Sequence, residues 1–146
     1  MNEATTAWIM SGGYRTLPIY PGAKECYNTL TAKYDVSVVT ARIGTFGHMT
    51  PEVIEQVRSD TLKWFEDHDL EPHNLTFEAN KVAWCKTNGV GIMLEDKLPT
   101  ALEGAKVGLY TVLVDRYWNQ SPPRLRVYRA KNYNEVLDRL DSVTSR

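Results

Sequence analysis

Only two cysteines, Cys26 and Cys85, occur among the 146 residues. Neither belongs to a Cys-x-x-Cys pair or a His/Cys cluster, which excludes a structural zinc framework and a disulfide scaffold of the usual spacing. Both fall in helix-like patterns and read as reduced, half-buried thiols of a reducing compartment. Long apolar runs are missing too: nothing approaches the ~20 residues of a membrane-spanning helix. The opening MNEATTAWIM carries an acid, lacks a cationic start and has too short an apolar run for a secretory signal. The expected location is therefore the cytoplasm. Excess charge is also lacking. Seventeen basic against eighteen acidic side chains leave a net charge of −1, with no basic field to recruit nucleic acid or anionic lipid. Finally, no aspartate precedes Asp35, the only earlier acids being Glu3 and Glu25. No aspartyl nucleophile can stand in that stretch.

What is present alternates strand and helix. Pro21-Gly22 opens a helical face of Ala23, Cys26, Tyr27, Leu30 and Tyr34. Val36-Ser-Val-Val39 follows as a short β-branched strand, then a glycine-bearing loop from Ile43 to Met49. Thr50-Pro51 supplies an N-cap and a first-turn proline for a helix turning Val53, Ile54, Val57, Thr61, Trp64 and Phe65 inward. Leu75-Thr-Phe77 is a weak strand, and Asn80 to Asn88 a helix stopped by Gly89. A strand over Val90–Leu94, a helix over Leu98–Val107 and a strand over Tyr110–Val114 come next. A short strand near Val127 and a helix begun by Asn132-Tyr-Asn-Glu135, similar to a capping box, close the chain. Arg124, Arg126 and Arg129 read as a solvated edge strand. The length fits one domain, and the alternation predicts an α/β fold with a parallel sheet covered on both faces.

In such sheets ligands bind beyond the carboxyl ends of the strands. Thr40, Glu95, Asp96 and Asp115 each end a predicted strand. A hydroxyl at Thr40 followed by the backbone of Ala41 and Arg42 can hold a phosphoryl or carboxylate oxygen; a threonine placed there by β preference alone is the plainer alternative. Glu95-Asp96 puts adjacent carboxylates at the edge of a buried strand, where a divalent cation is the common compensation. The alternative is a solvated loop pair, with Asp96 capping the helix at Pro99. Lys81 begins a helix, where its charge opposes the helix dipole, so it is either exposed or held near an anion such as phosphate. His48 touches substrate or is an ordinary loop histidine. Tyr117, Trp118 and Asn119 form a lid or base-stacking surface, or pack against the last helix. Arg42 pairs with the acids or contacts substrate.

Tyr20–Glu25, Val38–Arg42, Asn80-Lys81, Glu95–Ala101 and Asp115–Asn119, taken in that order, resemble the haloacid dehalogenase superfamily, and most of all its 5′-nucleotidase-like branch with its short bacterial and phage members. The resemblance runs from about Gly12 to Leu140. It implies a Rossmann-like three-layer sandwich, a mostly parallel sheet and little or no cap. It gives Thr40 and Lys81 catalytic roles on the phosphoryl group, with Ala41 and Arg42 as further phosphate or substrate contacts. It implies Mg²⁺ held by Asp96 and Glu95, where an Asp-Asp pair is usual, and a small phosphorylated molecule, a nucleotide, as ligand. Lys81 precedes Glu95 by 14 positions, a spacing similar to the family's.

The family's first motif, Asp-x-Asp at the end of the central strand, is absent. Its first Asp would attack phosphorus and its second would serve as acid and base. Asp67-His-Asp69 has the spelling but ends a helix, and Tyr117 stands where Asp115 would need a second acid. Two accounts of residues 1–20 compete. In one, Ala4–Met10 is the central strand with Met10-Ser-Gly-Gly13 in place of the motif. In the other, Gly12–Pro18 is the tail of a cap insertion, and the nucleophile strand is lost or carried by a partner chain. If active, the chain is expected to be a Mg²⁺-dependent phosphomonoesterase. A non-catalytic nucleotide- or phosphate-binding module is the alternative. A polynucleotide-end phosphatase, suggested by the Ile43–Thr50 insert with Arg58 and Lys63, is weakened by the near-neutral charge.

Overall fold

The computed structural model describes residues 1–44 and 47–145, and the tip of the expected glycine loop, Thr45 and Phe46, lies outside the described residues. The chain is mixed α/β, with six α-helices and two small parallel sheets among the described residues. It divides into two compact units, Met1–Tyr20 with Thr31–Asn80, and Pro21–Leu30 with Lys81–Arg146. No helix is long and apolar enough to cross a membrane among the described residues.

In the first unit, residues expected as a possible central strand are helical: α1 spans Glu3–Met10. Local chemistry decides this. The Asn2 side chain accepts from the Thr5 N–H at 2.8 Å, and Glu3 places an acid in the first turn. The apolar Trp8-Ile9-Met10 run thus belongs to a capped helix, and Ile9 is wholly buried with Met49, Val53, Val57 and Tyr14. Ala4–Met10 fills no sheet.

Thr50 caps α3 (Pro51–Asp67) as expected, accepting from the Val53 N–H at 3.3 Å. Helix α2 spans Ala23–Lys33, with Cys26 and Leu30 buried; Tyr34 lies beyond it and is exposed. Strand β1 covers only Val39–Thr40 and pairs in parallel with β2 (Thr76–Phe77). The expected strand over Val36–Val39 starts late because its partner does. Asn74 adopts a left-handed φ of 46°, and pairing begins only with Val38 N–H on the His73 carbonyl.

The Asp67-His-Asp69 run has a structural role at the end of α3. The Arg15 guanidinium donates to both Asp67 oxygens, at 2.7 and 3.0 Å. This hydrogen bonding holds the Asp67 carboxyl below its ordinary value. A depressed carboxyl contributes stability at neutral pH that is lost as pH falls through its lowered folded value. Arg15→Gln is expected to raise the Asp67 titration midpoint in a carbon-detected NMR titration. An unmoved midpoint would show the pair has no effect.

In the second unit, β3 (Ile92–Glu95), β4 (Tyr110–Val114) and β5 (Val127–Ala130) form a parallel sheet with β4 in the middle. The register sets Glu95 beside Leu113, and Val114 beside Ala130. Helix α4 (Lys81–Thr87) ends where expected, with Gly89 at φ 70°. Helix α5 (Leu98–Lys106) packs on the sheet so closely at Gly104 that an added Cβ would lie 2.7 Å from the Met93 Cε. Helix α6 (Tyr133–Thr144) buries Val136, Leu140 and Val143. Its capping box is displaced: Asn132 accepts from the Glu135 N–H at 3.1 Å, but Glu135 reaches back to Lys131 N–H at 2.7 Å.

Cys26 and Cys85 are buried rather than half-buried, and burial raises both thiols above their ordinary value. Strand β5 does form an edge, yet Arg129 is bonded inward rather than solvated. On β4, Thr111 is wholly buried and its hydroxyl has no hydrogen-bond partner among the described residues. An unsatisfied buried hydroxyl costs roughly 1–3 kcal/mol. Thr111→Val keeps the shape and is expected to raise unfolding stability by about 1 kcal/mol in urea; a loss of stability would mean the hydroxyl has found a partner.

Candidate functional site

The strand-end residues of the second unit meet where β3 gives way to α5. Lys81 opens α4 and Glu95 ends β3. The Lys81 Nζ donates to the Glu95 Oε2 at 3.2 Å, across 14 positions of sequence. The other oxygen, Oε1, accepts from the backbone N–H groups of Asp96 at 3.2 Å and Lys97 at 3.3 Å. The extra methylene of glutamate makes this possible, because the carboxylate can fold back over its own strand end. Glu95 is 7% exposed in its side chain and Lys81 20%, so the pair compensates a carboxylate that burial would otherwise penalise.

Asp96 differs from its neighbour. Its backbone is fixed twice, its carbonyl accepting from the Asn119 Nδ2 at 2.8 Å and the Trp118 Nε1 at 3.1 Å. Its carboxylate accepts no hydrogen bond and joins no ion pair among the described residues, and the residue is partly exposed. The expected acid pair is therefore divided: both oxygens of Glu95 are engaged by the protein, and those of Asp96 are available. No group of three or more His, Cys, Asp or Glu side chains gathers into a metal cage among the described residues. Mg²⁺ typically needs only one or two carboxylates when water and phosphate complete its shell. Asp96 fits as one such ligand, and Glu95, held by Lys81 and two N–H groups, does not.

Asn119, wholly buried, organises this rim. Besides the Asp96 carbonyl, its amide donates to Val114 O at 2.8 Å, and its oxygen accepts from Arg116 N–H at 3.0 Å and Arg129 Nη1 at 3.2 Å. Arg129 also bonds the Asp115 carboxylate at 2.8 Å and the Asn119 carbonyl. Asp115 thus serves an ion pair and accepts from Gln120 at 2.9 Å. The 3₁₀ turn Tyr117–Asn119 leaves Tyr117 and Trp118 outward-facing.

Thr40, Ala41 and Arg42 fall in the first unit. Thr40 ends β1, its carbonyl accepting from Glu78 N–H at 2.9 Å, and its hydroxyl makes no hydrogen bond among the described residues. Ala41 is half-buried. Arg42 is committed inward. Its guanidinium lies 4.5 Å from the Tyr14 ring centroid and donates to the Thr61 hydroxyl at 2.9 Å. Burial lowers its pKa, opposed in part by Tyr14. His48 is exposed.

One buried acid escaped the sequence reading. Asp60 on α3 is 3% exposed and accepts from the Gln56 amide at 2.7 Å. Its position three residues after Val57 lay on the predicted inner face, so periodicity could have found it. Asn119, expected in a lid or base-stacking surface or packed against the last helix, is instead wholly buried and bonded to groups up to 23 positions away, which nothing local signals. A scan against protein-family models matched none, and a search of curated proteins found no relative.

Proposed function

We propose that this chain is a phosphohydrolase-like domain of the haloacid dehalogenase type, nucleotidase-like, which binds a phosphomonoester but carries no attacking aspartate of its own. The observation that carries the reading is the second unit's strand end, where a partly buried Lys81–Glu95 ion pair flanks the unengaged carboxylate of Asp96. Lys81 offers a cation to a phosphoryl group, and Asp96 would hold Mg²⁺ together with that phosphate and water. When bound, the metal would neutralise phosphoryl charge. Without a covalent nucleophile the usual route through an acyl-phosphate is closed, while binding survives its loss.

Completion by a partner chain is supported by a separate observation. Among the described residues nothing pairs with the outer edge of β3, and its Leu94 is 41% exposed although parallel strands are ordinarily covered. Since Ala4–Met10 is helical, it supplies no strand.

Calorimetric titration of the purified chain with nucleoside monophosphates, with and without Mg²⁺, tests the reading. Saturable binding that Mg²⁺ strengthens, with no release of inorganic phosphate, is expected. Asp96→Asn should remove the Mg²⁺ dependence. Turnover that appears only on adding a peptide ending in an apolar-Asp-x-Asp sequence supports completion in trans. Turnover by the chain alone would overturn the loss of the attacking group, and absence of binding would overturn the pocket.

A further inference from the structure

Tyr117 and Trp118 are anomalous for loop aromatics. Tyr117 is 88% exposed and Trp118 48%, though each would bury a large apolar surface if the fold merely needed packing. They are nevertheless ordered against each other, their ring centroids 5.0 Å apart at 86°. The Trp118 indole N–H is tied to the Asp96 carbonyl at 3.1 Å. The next residue, Asn119, is buried and donates to that same carbonyl at 2.8 Å. Two donors from one turn thus fix an exposed indole to the backbone of the residue whose carboxylate is unengaged. Solvated faces of this size, held without freedom to collapse, lose little entropy when a flat ligand covers them.

We infer that Trp118 and Tyr117 form a stacking platform for the base of a nucleotide whose phosphate is held at the Asp96 rim. This rests on the proposed phosphate reading and adds to it the part of the ligand that the aromatic rings recognise. Exposed aromatic faces bind bases through stacking, which is tolerant of base identity. The platform therefore selects for the presence of a base more than for its kind. Neither residue belongs to the strand-end charge cluster, and neither side chain contributes to the sheet.

The test is equilibrium binding to the whole chain, in the presence of Mg²⁺, with three probes: adenosine 5′-monophosphate, ribose 5-phosphate and adenosine. The monophosphate is expected to bind about tenfold more tightly than ribose 5-phosphate, with Tyr117→Ala and Trp118→Leu each removing much of that margin. Tyr117→Ala should not change affinity for ribose 5-phosphate. Tyr117→Ala is the cleaner probe, because an 88% exposed ring can be removed without unfolding the chain, and an unchanged melting curve verifies this. Equal binding of the two phosphates, indifferent to both variants, would overturn the platform and leave the phosphate site intact. Adenosine binding as tightly as the monophosphate, and lost in both variants, would uphold the platform and overturn the phosphate reading. No binding of any probe would overturn both.

Discussion

Lys81→Met is expected to destabilise the chain by about 3 kcal/mol, since removing the lysine leaves the buried Glu95 charge without its partner. Glu95 cannot readily escape to water, being 7% exposed in its side chain and held by the Asp96 and Lys97 N–H groups at its other oxygen. Lys81, at 20% exposure on a flexible stem, can reach solvent more easily. The two single variants should therefore be unequal. Glu95→Gln keeps an acceptor for the loop and is expected to cost only about 1 kcal/mol. The double variant Lys81→Met/Glu95→Gln should recover most of what Lys81→Met loses, because no buried charge is left. Urea unfolding of the four proteins closes this cycle. If the double variant is no more stable than Lys81→Met, the ion pair is not what Lys81 contributes to the fold. The cycle also bears on function: loss of ligand binding in Lys81→Ala would need to be separated from collapse of the strand end.

The second large effect is expected at Asn119. Its amide donates to Asp96 O and Val114 O, and its oxygen accepts from Arg116 N–H and Arg129. Asn119→Ala would strand several buried polar groups at ~1–3 kcal/mol each, and some would find water, so a loss of about 3 kcal/mol is expected. Asn119→Asp, nearly identical in shape, should be at least as harmful. It replaces the donating nitrogen with an anionic oxygen facing two carbonyls, and only Arg129 offsets that charge. Thermal unfolding followed by circular dichroism reads both. A mild Asn119→Asp phenotype would mean that the Arg129 guanidinium, not the two carbonyls, sets the demand at this position. Because Trp118 hangs on the same carbonyl, both variants should also disturb its indole environment, visible as an altered emission maximum.

Elements whose signals are local were legible in the order of the residues. Thr50-Pro51 started α3, Asn88-Gly89 stopped α4, Asn132 opened α6, and Tyr110–Val114 emerged as a strand at its observed bounds. Each rests on backbone groups satisfied within a few residues, or on a run of side chains buried together in the middle of a sheet. Equally legible was the lack of any aspartate ahead of Asp35, a matter of composition that folding cannot change. At residues 3–10 the apolar run suggested a strand while Asn2 and Glu3 capped a helix, and both signals were present in the letters. Burial of Ile9 against Met49 and Val53 accompanies the helical outcome.

Tertiary structure alone decided what the charged and polar side chains do. In sequence Glu95 and Asp96 are equivalent neighbours; in space one is bonded at both oxygens to Lys81 and the loop, and the other is unengaged. Arg42, adjacent to a strand end, turns instead to Tyr14 and Thr61. Asn119 looks like any loop asparagine until Asp96, 23 positions earlier, is brought against it. The physical reason is common to all of them. A hydrogen bond or ion pair depends on distances of about 3 Å and on local exclusion of water, and both are set by which elements pack together rather than by which residues adjoin in the chain.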